Sequence, residues 1–312
     1  MTKSSEPATP LHRLLFSADE PRLRAGWRLL IHFLLLVFFI FLFALPIFGF
    51  LAPGGQLDDD SVLLANALSL ALPITAATYV ARRWIDRRSF ASLGLVLNRQ
   101  GLADLLFGIL LTGIQMGFIF LSFWVLGWLD IQSFAWQAMP AGQILQGTLY
   151  SLFVFIWVGW GEELLARGYW LQNLAGGLNM TWGVLLSSVL FALGHSFNPN
   201  VTWVAVLGLF LAGLFFAYLY LRTRLLWLPI GAHIGWNFFE GTVFGFPVSG
   251  LDISPLVEHR VTGPEIITGG AFGPEAGLIL LPALALGAVL VYLYTRKRAL
   301  EISDQESRTA DL

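Results

Sequence analysis

Two adjacent glutamates interrupt an apolar stretch in the run Trp160-Gly161-Glu162-Glu163-Leu164-Leu165-Ala166-Arg167. The flanking residue types are those of a membrane-spanning helix, where a charged side chain costs about 2.5 kcal/mol or more and is rare without a partner or a task. Glu163 and Arg167 stand four apart with the acid first, the favoured order for a helical ion pair. Glu162 is turned about 100° from Glu163 around the helix and has no evident local partner. The pattern implies a division of labour: Glu163 is held charged by Arg167, and Glu162 is left for chemistry. The competing reading is a structural ion cluster that only fixes helix packing.

The remaining ionisable groups deep in apolar stretches are His32, His195, His233 and Glu240. His233 and Asn237, four apart, share a helix face, and the small residues of Gly231-Ala232-His233-Ile234-Gly235 let another helix approach closely. Glu240, seven after His233 and three after Asn237, falls on the same face, either as a supporting acid or near the outer interface. His195 closes Phe191-Ala192-Leu193-Gly194-His195-Ser196. Alone, it and His32 read as interfacial or hydrogen-bonded histidines. Asp104 stands near a span start and is expected at the interface.

A carboxylate, two imidazoles and an amide in a dry cavity fit hydrolysis. Glu162 and His195 could polarise a water as general base. His233 and Asn237 could donate to the oxyanion that forms. Alternatively, Glu162, His195 and His233 could ligate a zinc ion that acidifies bound water. The chain has no cysteine, which removes disulfides, thiolate catalysis and Cys-ligated metal. The soluble H-E-x-x-H pattern, a G-x-S-x-G elbow and paired intramembrane aspartates are also absent.

The elements that must position these groups follow from composition. Of 312 residues 56% are hydrophobic and 12% charged, against roughly 25% charged in soluble domains. Mean hydropathy is +0.71. The expected fold is all-α, a polytopic membrane protein of about eight spans, near 27–51, 62–81, 102–128, 143–173, 182–197, 202–221, 225–246 and 274–295. An arm over 1–26 precedes this single transmembrane domain, which runs over 27–297, and a tail follows over 298–312. The first apolar run is too long for a signal-peptide core. The 247–273 loop, rich in glycine and proline, is expected to be irregular.

Eight spans put sixteen of the 18 lysines and arginines on one side, Arg167 and Arg260 excepted. Asp58-Asp59-Asp60 and Asp130 fall on the other. The positive-inside rule then places both termini in the cytoplasm. The arginine bias suggests a bacterial genome, hence a bacterial plasma membrane. The net charge of -2 reports topology, and the expected partners are lipid and a peptide or protein substrate at the membrane, with no nucleic acid. The small-residue pairs Gly113/Gly117 and Gly241/Gly245 could pack helices within one chain or between chains.

Three motifs in order, EExxxR (Glu162 to Arg167), FxxxH (Phe191 to His195) and HxxxN (His233 to Asn237), resemble the CPBP family. These are the Abi, CAAX prenyl protease 2-like or lysostaphin resistance protein A-like intramembrane proteases. The match covers about residues 145–245. The resemblance implies an eight-span helical fold around a conical cavity and endopeptidase activity. It implies that Glu162 and His195 activate water, that His233 and Asn237 form the oxyanion site, and that Glu163 and Arg167 support them. Family members are described both as metalloproteases and as glutamate-dependent enzymes, so zinc stays open. The eukaryotic branch acts on prenylated tails, and nothing in this sequence shows a prenyl site. Alternatives of other classes are a non-catalytic immunity or scaffold protein binding a peptide in the same cavity, an ion-coupled transporter using the buried carboxylates, and haem ligation by His195 and His233.

Overall fold

Lipid offers a backbone no hydrogen-bond partner, so apolar stretches of this length satisfy themselves as helices. The computed structural model describes residues 9, 14–17, 22–51 and 59–310, and side chains within these except at 59–60 and 299–310. The chain is a polytopic helical membrane protein. Its helices are α1 (Ala25–Leu51), α2 (Asp59–Val80), α3 (Arg99–Val125), α4 (Ala141–Glu163), α5 (Leu171–Gly177), α6 (Met180–Gly194), α7 (Trp203–Thr223), α8 (Trp227–Asn237) and α9 (Leu280–Ala310). Wider π-helical turns extend α2 over Ala81–Ile85, join α4 to α5 over Leu164–Trp170, and extend α8 over Phe238–Val243.

Among the described residues, six helical segments are long and apolar enough to cross a membrane: Ala25–Leu51, Ser61–Ile85, Arg99–Val125, Ala141–Gly177, Trp203–Thr223 and Leu280–Arg298. The spans expected at 182–197, already short in sequence, and at 225–246 fall outside this set. They are α6, with 15 residues, and α8, with 11 before its π turns. With its π turns the α8 helix runs on to Val243, at most roughly 25 Å at about 1.5 Å per residue, still short of a bilayer core of about 30 Å. It can be short because protein surrounds it: every residue from Leu228 to Asn237 is buried. By contrast α1 turns outward, with Phe41, Leu45 and Phe50 at least 75% exposed, as a lipid-facing helix should. The last span starts later than expected, because 274–276 form a separate 3₁₀ turn.

The contact between α3 and α8 is backbone against backbone. A Cβ added at Gly108 would lie 2.5 Å from the Leu228 carbonyl oxygen, and one at Gly231 2.1 Å from that of Leu105. Gly231→Ala is therefore expected to destabilise the fold by about 1–3 kcal/mol, the usual cost of overpacking where the obstacle is main chain. Thermal unfolding in detergent reads this, and an unchanged midpoint would mean the seam can open. The other small-residue pairs also have neighbours within the chain: Gly113 faces the Phe239 ring, and Gly241 faces Val248 and Ile253.

Two short strands, β1 (Leu129–Phe134) and β2 (Val257–Val261), pair antiparallel. The all-helical expectation did not include them. Their register sets Asp130 opposite Arg260, so the lone arginine of the outer loop faces an acid. The rest of the 247–273 stretch is irregular, as expected, with left-handed backbone at Ser249, Gly250, Gly269, Gly270 and Gly273.

Two ion clusters tie the helices together at their ends. Asp86 is buried between Arg82 at 3.0 Å and Arg28 at 3.6 Å, with the Tyr169 hydroxyl at 3.3 Å. Asp104, near the start of α3, is also buried within the protein. Arg298 donates to both its oxygens, at 2.9 and 2.7 Å, and Tyr294 adds a third bond. The run Asp58-Asp59-Asp60 and the residues Lys3, Arg13 and Arg308 lie outside the residues whose side chains are described.

Candidate active site

Glu162 and Glu163 are the last two residues of α4, where it passes into the π turns of Leu164–Trp170. Nearby glycines let neighbours close in. A Cβ at Gly159 would meet Ile234 of α8 at 2.8 Å, and one at Gly161 would meet Ala71 of α2 at 3.0 Å. The acidic pair is thus held where α2, α4 and α8 converge.

Glu163 is fully buried. Its Oε1 accepts from Arg167 Nη1 and from His233 Nδ1, each at 2.8 Å. The spacing of four read from the sequence is therefore a bonded pair. Arg167 donates its other terminal nitrogen to the Gly213 carbonyl at 3.0 Å. Its guanidinium lies over the rings of Phe191, at 4.5 Å, and Phe216, at 5.1 Å. Planarity and diffuse charge suit arginine to this sandwich, and lysine could not reproduce it. Phe216 also stacks on the His233 ring.

Glu162 points the other way, into a cavity of about 570 Å³. Its Oε2 lies 3.5 Å from His195 Nε2 and 3.8 Å from His233 Nε2, and has no hydrogen-bond partner. His195 follows the last residue of α6, and its Nδ1 donates to the Phe191 carbonyl at 2.9 Å. The FxxxH spacing has a double meaning here: Phe191 orients His195 through its backbone and covers Arg167 with its ring. Both imidazoles direct Nδ1–H at an oxygen that can only accept. A neutral ring therefore presents a bare Nε2 to Glu162. Three lone-pair-bearing atoms face one another, an arrangement suited to a water that donates to two of them. Asn237, one turn beyond His233 on α8, lines the same cavity. All four expected catalytic side chains, Glu162, His195, His233 and Asn237, line this one space, while Glu163 and Arg167 lie behind it.

Two imidazoles and a carboxylate are in kind the donors zinc prefers. As placed, however, no three His, Asp or Glu side chains among the described residues converge as a metal-holding group. Glu162 Oε2 nonetheless lies 3.5 and 3.8 Å from the two Nε2 atoms, so Glu162, His195 and His233 are the residues that would hold a zinc ion.

Sequence reasoning missed Glu275. It lies in the turn Pro274–Ala276, is 6% exposed, and lines the cavity. Trp236 Nε1 donates to its Oε1 at 3.1 Å, and Ser249 Oγ donates to its Oε2. Burial pushes the Glu275 carboxyl above its ordinary range, opposed by the Ser249 hydroxyl and the nearby imidazoles. Glu240 stands in the π turns that follow Asn237. Glu240 is fully buried and does not line the cavity. His32 is a packing residue. It bonds Thr78 at 3.1 Å and stacks on Tyr169 at 4.0 Å.

Residues 144–239, which hold all three motifs, match the family model described as Type II CAAX prenyl endopeptidase Rce1-like. The resemblance drawn from the motifs is borne out over that segment. The Bacillus subtilis (strain 168) protein named "Putative membrane peptidase YdiL" is 30% identical over 111 residues, 36% of this chain. The matched region spans 41% of that relative's length. No solved structure matches.

Proposed function

We propose that the chain is an intramembrane endopeptidase that hydrolyses a peptide bond of a membrane-associated or lipidated substrate. One observation carries the reading: Glu162 Oε2, unpartnered, faces His195 and His233 Nε2 across the floor of an otherwise largely apolar cavity. The family described as CAAX prenyl endopeptidases and the relative named a membrane peptidase support the same class.

A water in this space donates one hydrogen to Glu162 and the other to His195 Nε2, leaving a lone pair for the scissile carbonyl. As its oxygen bonds to carbon, Glu162 takes one proton. The carbonyl oxygen becomes an oxyanion and accepts from the Asn237 amide. His233 adds a second donor at Nε2 when its ring carries both protons, a form that the Glu163 carboxylate at Nδ1 favours. Glu162 then passes its proton to the amine nitrogen and the C–N bond breaks, giving a carboxylic acid and an amine. The largely apolar cavity walls lower the local dielectric, which strengthens each polar contact.

Asn237→Ala is expected to lower kcat by about 10²–10³-fold, the usual loss for one oxyanion donor, with little change in KM. Cleavage of a quenched peptide library that includes lipidated tails, by purified protein in nanodiscs, reads this. Equal kcat in the variant removes Asn237 from the mechanism. The same assay run with a chelator tests the metal. Undiminished cleavage is expected, and loss that added zinc restores would establish a metalloenzyme. The arginine asymmetry supports cytoplasmic termini, as in a bacterial plasma membrane protein. Protease accessibility of tags at both ends would test that.

A further inference from the structure

The hydrolytic cycle leaves one carboxyl group of the cavity unused. Glu275 receives two donors, Trp236 Nε1 and Ser249 Oγ, one on each oxygen. A carboxylate has about four acceptor positions, so about two remain open on a side chain that lines the cavity. Near it Glu240 is fully buried, and neither of its oxygens has a hydrogen-bond partner. No lysine or arginine lines the cavity among the described residues. Arg167 is committed to Glu163 and Gly213. Two carboxyl groups thus share a largely apolar region whose nearest possible countercharges are the His195 and His233 imidazoles, already turned to Glu162 and Glu163, an arrangement that costs stability until a further cation or a full set of donors is supplied. Among the described residues the protein places no lysine or arginine beside Glu275, whereas it pairs Glu163, Asp86 and Asp104 with arginine.

We infer that Glu275 is a specificity-determining residue that binds a positively charged group of the substrate, the ammonium of a lysine or the guanidinium of an arginine side chain near the scissile bond. That the ligand is a peptide rests on the endopeptidase reading; the charge preference rests on the cavity alone. Ser249 and Trp236 hold the carboxylate at a fixed place, and apolar walls from Ile74, Phe155 and Phe215 receive the neighbouring side chains. The same charge disfavours substrates that bring a carboxylate to this end of the cavity.

Binding can be read separately from turnover in the Glu162→Gln protein, full-length in nanodiscs. The probes are fluorescent short apolar peptides in which a single lysine is walked along the sequence, each paired with its norleucine counterpart. Norleucine keeps the apolar stem and drops the charge. At one register the lysine peptide is expected to bind about tenfold or more tightly than its pair, the gain of one desolvated charge contact. In Glu162→Gln/Glu275→Gln that ratio is expected to fall to near one, while the norleucine peptides bind as before. Glutamine retains an acceptor for Trp236, so the fold should hold, and a matching melting curve checks it. A ratio near one at every register overturns the assignment. A ratio that survives Glu275→Gln overturns it too, as does equal weakening of both peptides. Because no cleavage is needed, a wild-type protein without peptidase activity would sink the endopeptidase reading and leave this ratio to be judged on its own.

Discussion

Glu162→Gln is expected to lower kcat/KM by about 10³-fold or more on any peptide the wild-type protein cleaves, near the upper range for removing a general base. The glutamine amide has the size of the carboxylate but cannot take a proton from water. The fold should be untouched, because Glu162 Oε2 makes no hydrogen bond that the substitution could break. The structural charge is carried next door, by Glu163 with Arg167 and His233. The predicted signature is therefore loss of turnover with an unchanged melting temperature and unchanged peptide binding. Turnover within about tenfold of wild type would reject Glu162 as the base, since general-base loss costs at least about 10²-fold. A non-catalytic peptide-binding protein makes the opposite prediction: its cellular phenotype would survive Glu162→Gln intact.

Much of this site could be read from residue spacing because its key bonds run along single helices. Glu163–Arg167 and Phe191–His195 are bonded pairs four apart, and His233 and Asn237, also four apart, line the same cavity; helical geometry brings such pairs to one face without knowledge of the fold. What joins the three pairs is not local. The Glu163–His233 bond spans 70 positions and the Arg167–Gly213 bond 46. No single-helix pattern encodes them. Hydropathy located the apolar helices but overstated α8, since a window of apolar residues cannot distinguish a helix facing lipid from one enclosed by protein. Glu275 left no trace in sequence: it stands in a glycine- and proline-rich loop without periodicity, and only folding brings it to the cavity beside Trp236. The β1–β2 pair was hidden for a related reason. Its partners, such as Asp130 and Arg260, lie far apart in sequence, and their pairing is a tertiary event.

Arg167→Met is expected to destabilise the protein by about 3–5 kcal/mol, the cost of removing one partner from a buried ion pair. Methionine replaces the stem between Phe191 and Phe216 but leaves three groups unserved. The Glu163 carboxylate, 0% exposed, keeps only His233. The Gly213 carbonyl, in the middle of α7, loses the donor it has besides its own helix. The two rings lose the cation they enclose. Arg167→Lys should recover only part of the loss, because one ammonium cannot serve the carboxylate and the Gly213 carbonyl with the planar fork of a guanidinium. The decisive variant is the double change Glu163→Gln/Arg167→Met. If the penalty is the stranded charge, neutralising Glu163 relieves it, and the double variant will be more stable than Arg167→Met alone. Coupling between neighbours of this kind is about 0.5–3 kcal/mol. Unfolding midpoints of wild type, the two single variants and the double variant in one detergent give that number directly. Strict additivity would show that Arg167 acts through packing with Phe191 and Phe216, and the ion pair would lose its claim to hold His233 in place. If coupling is found, the double variant should still be catalytically impaired. Glu163→Gln leaves an acceptor for His233 Nδ1 but removes the negative charge that favours a second ring proton for the oxyanion.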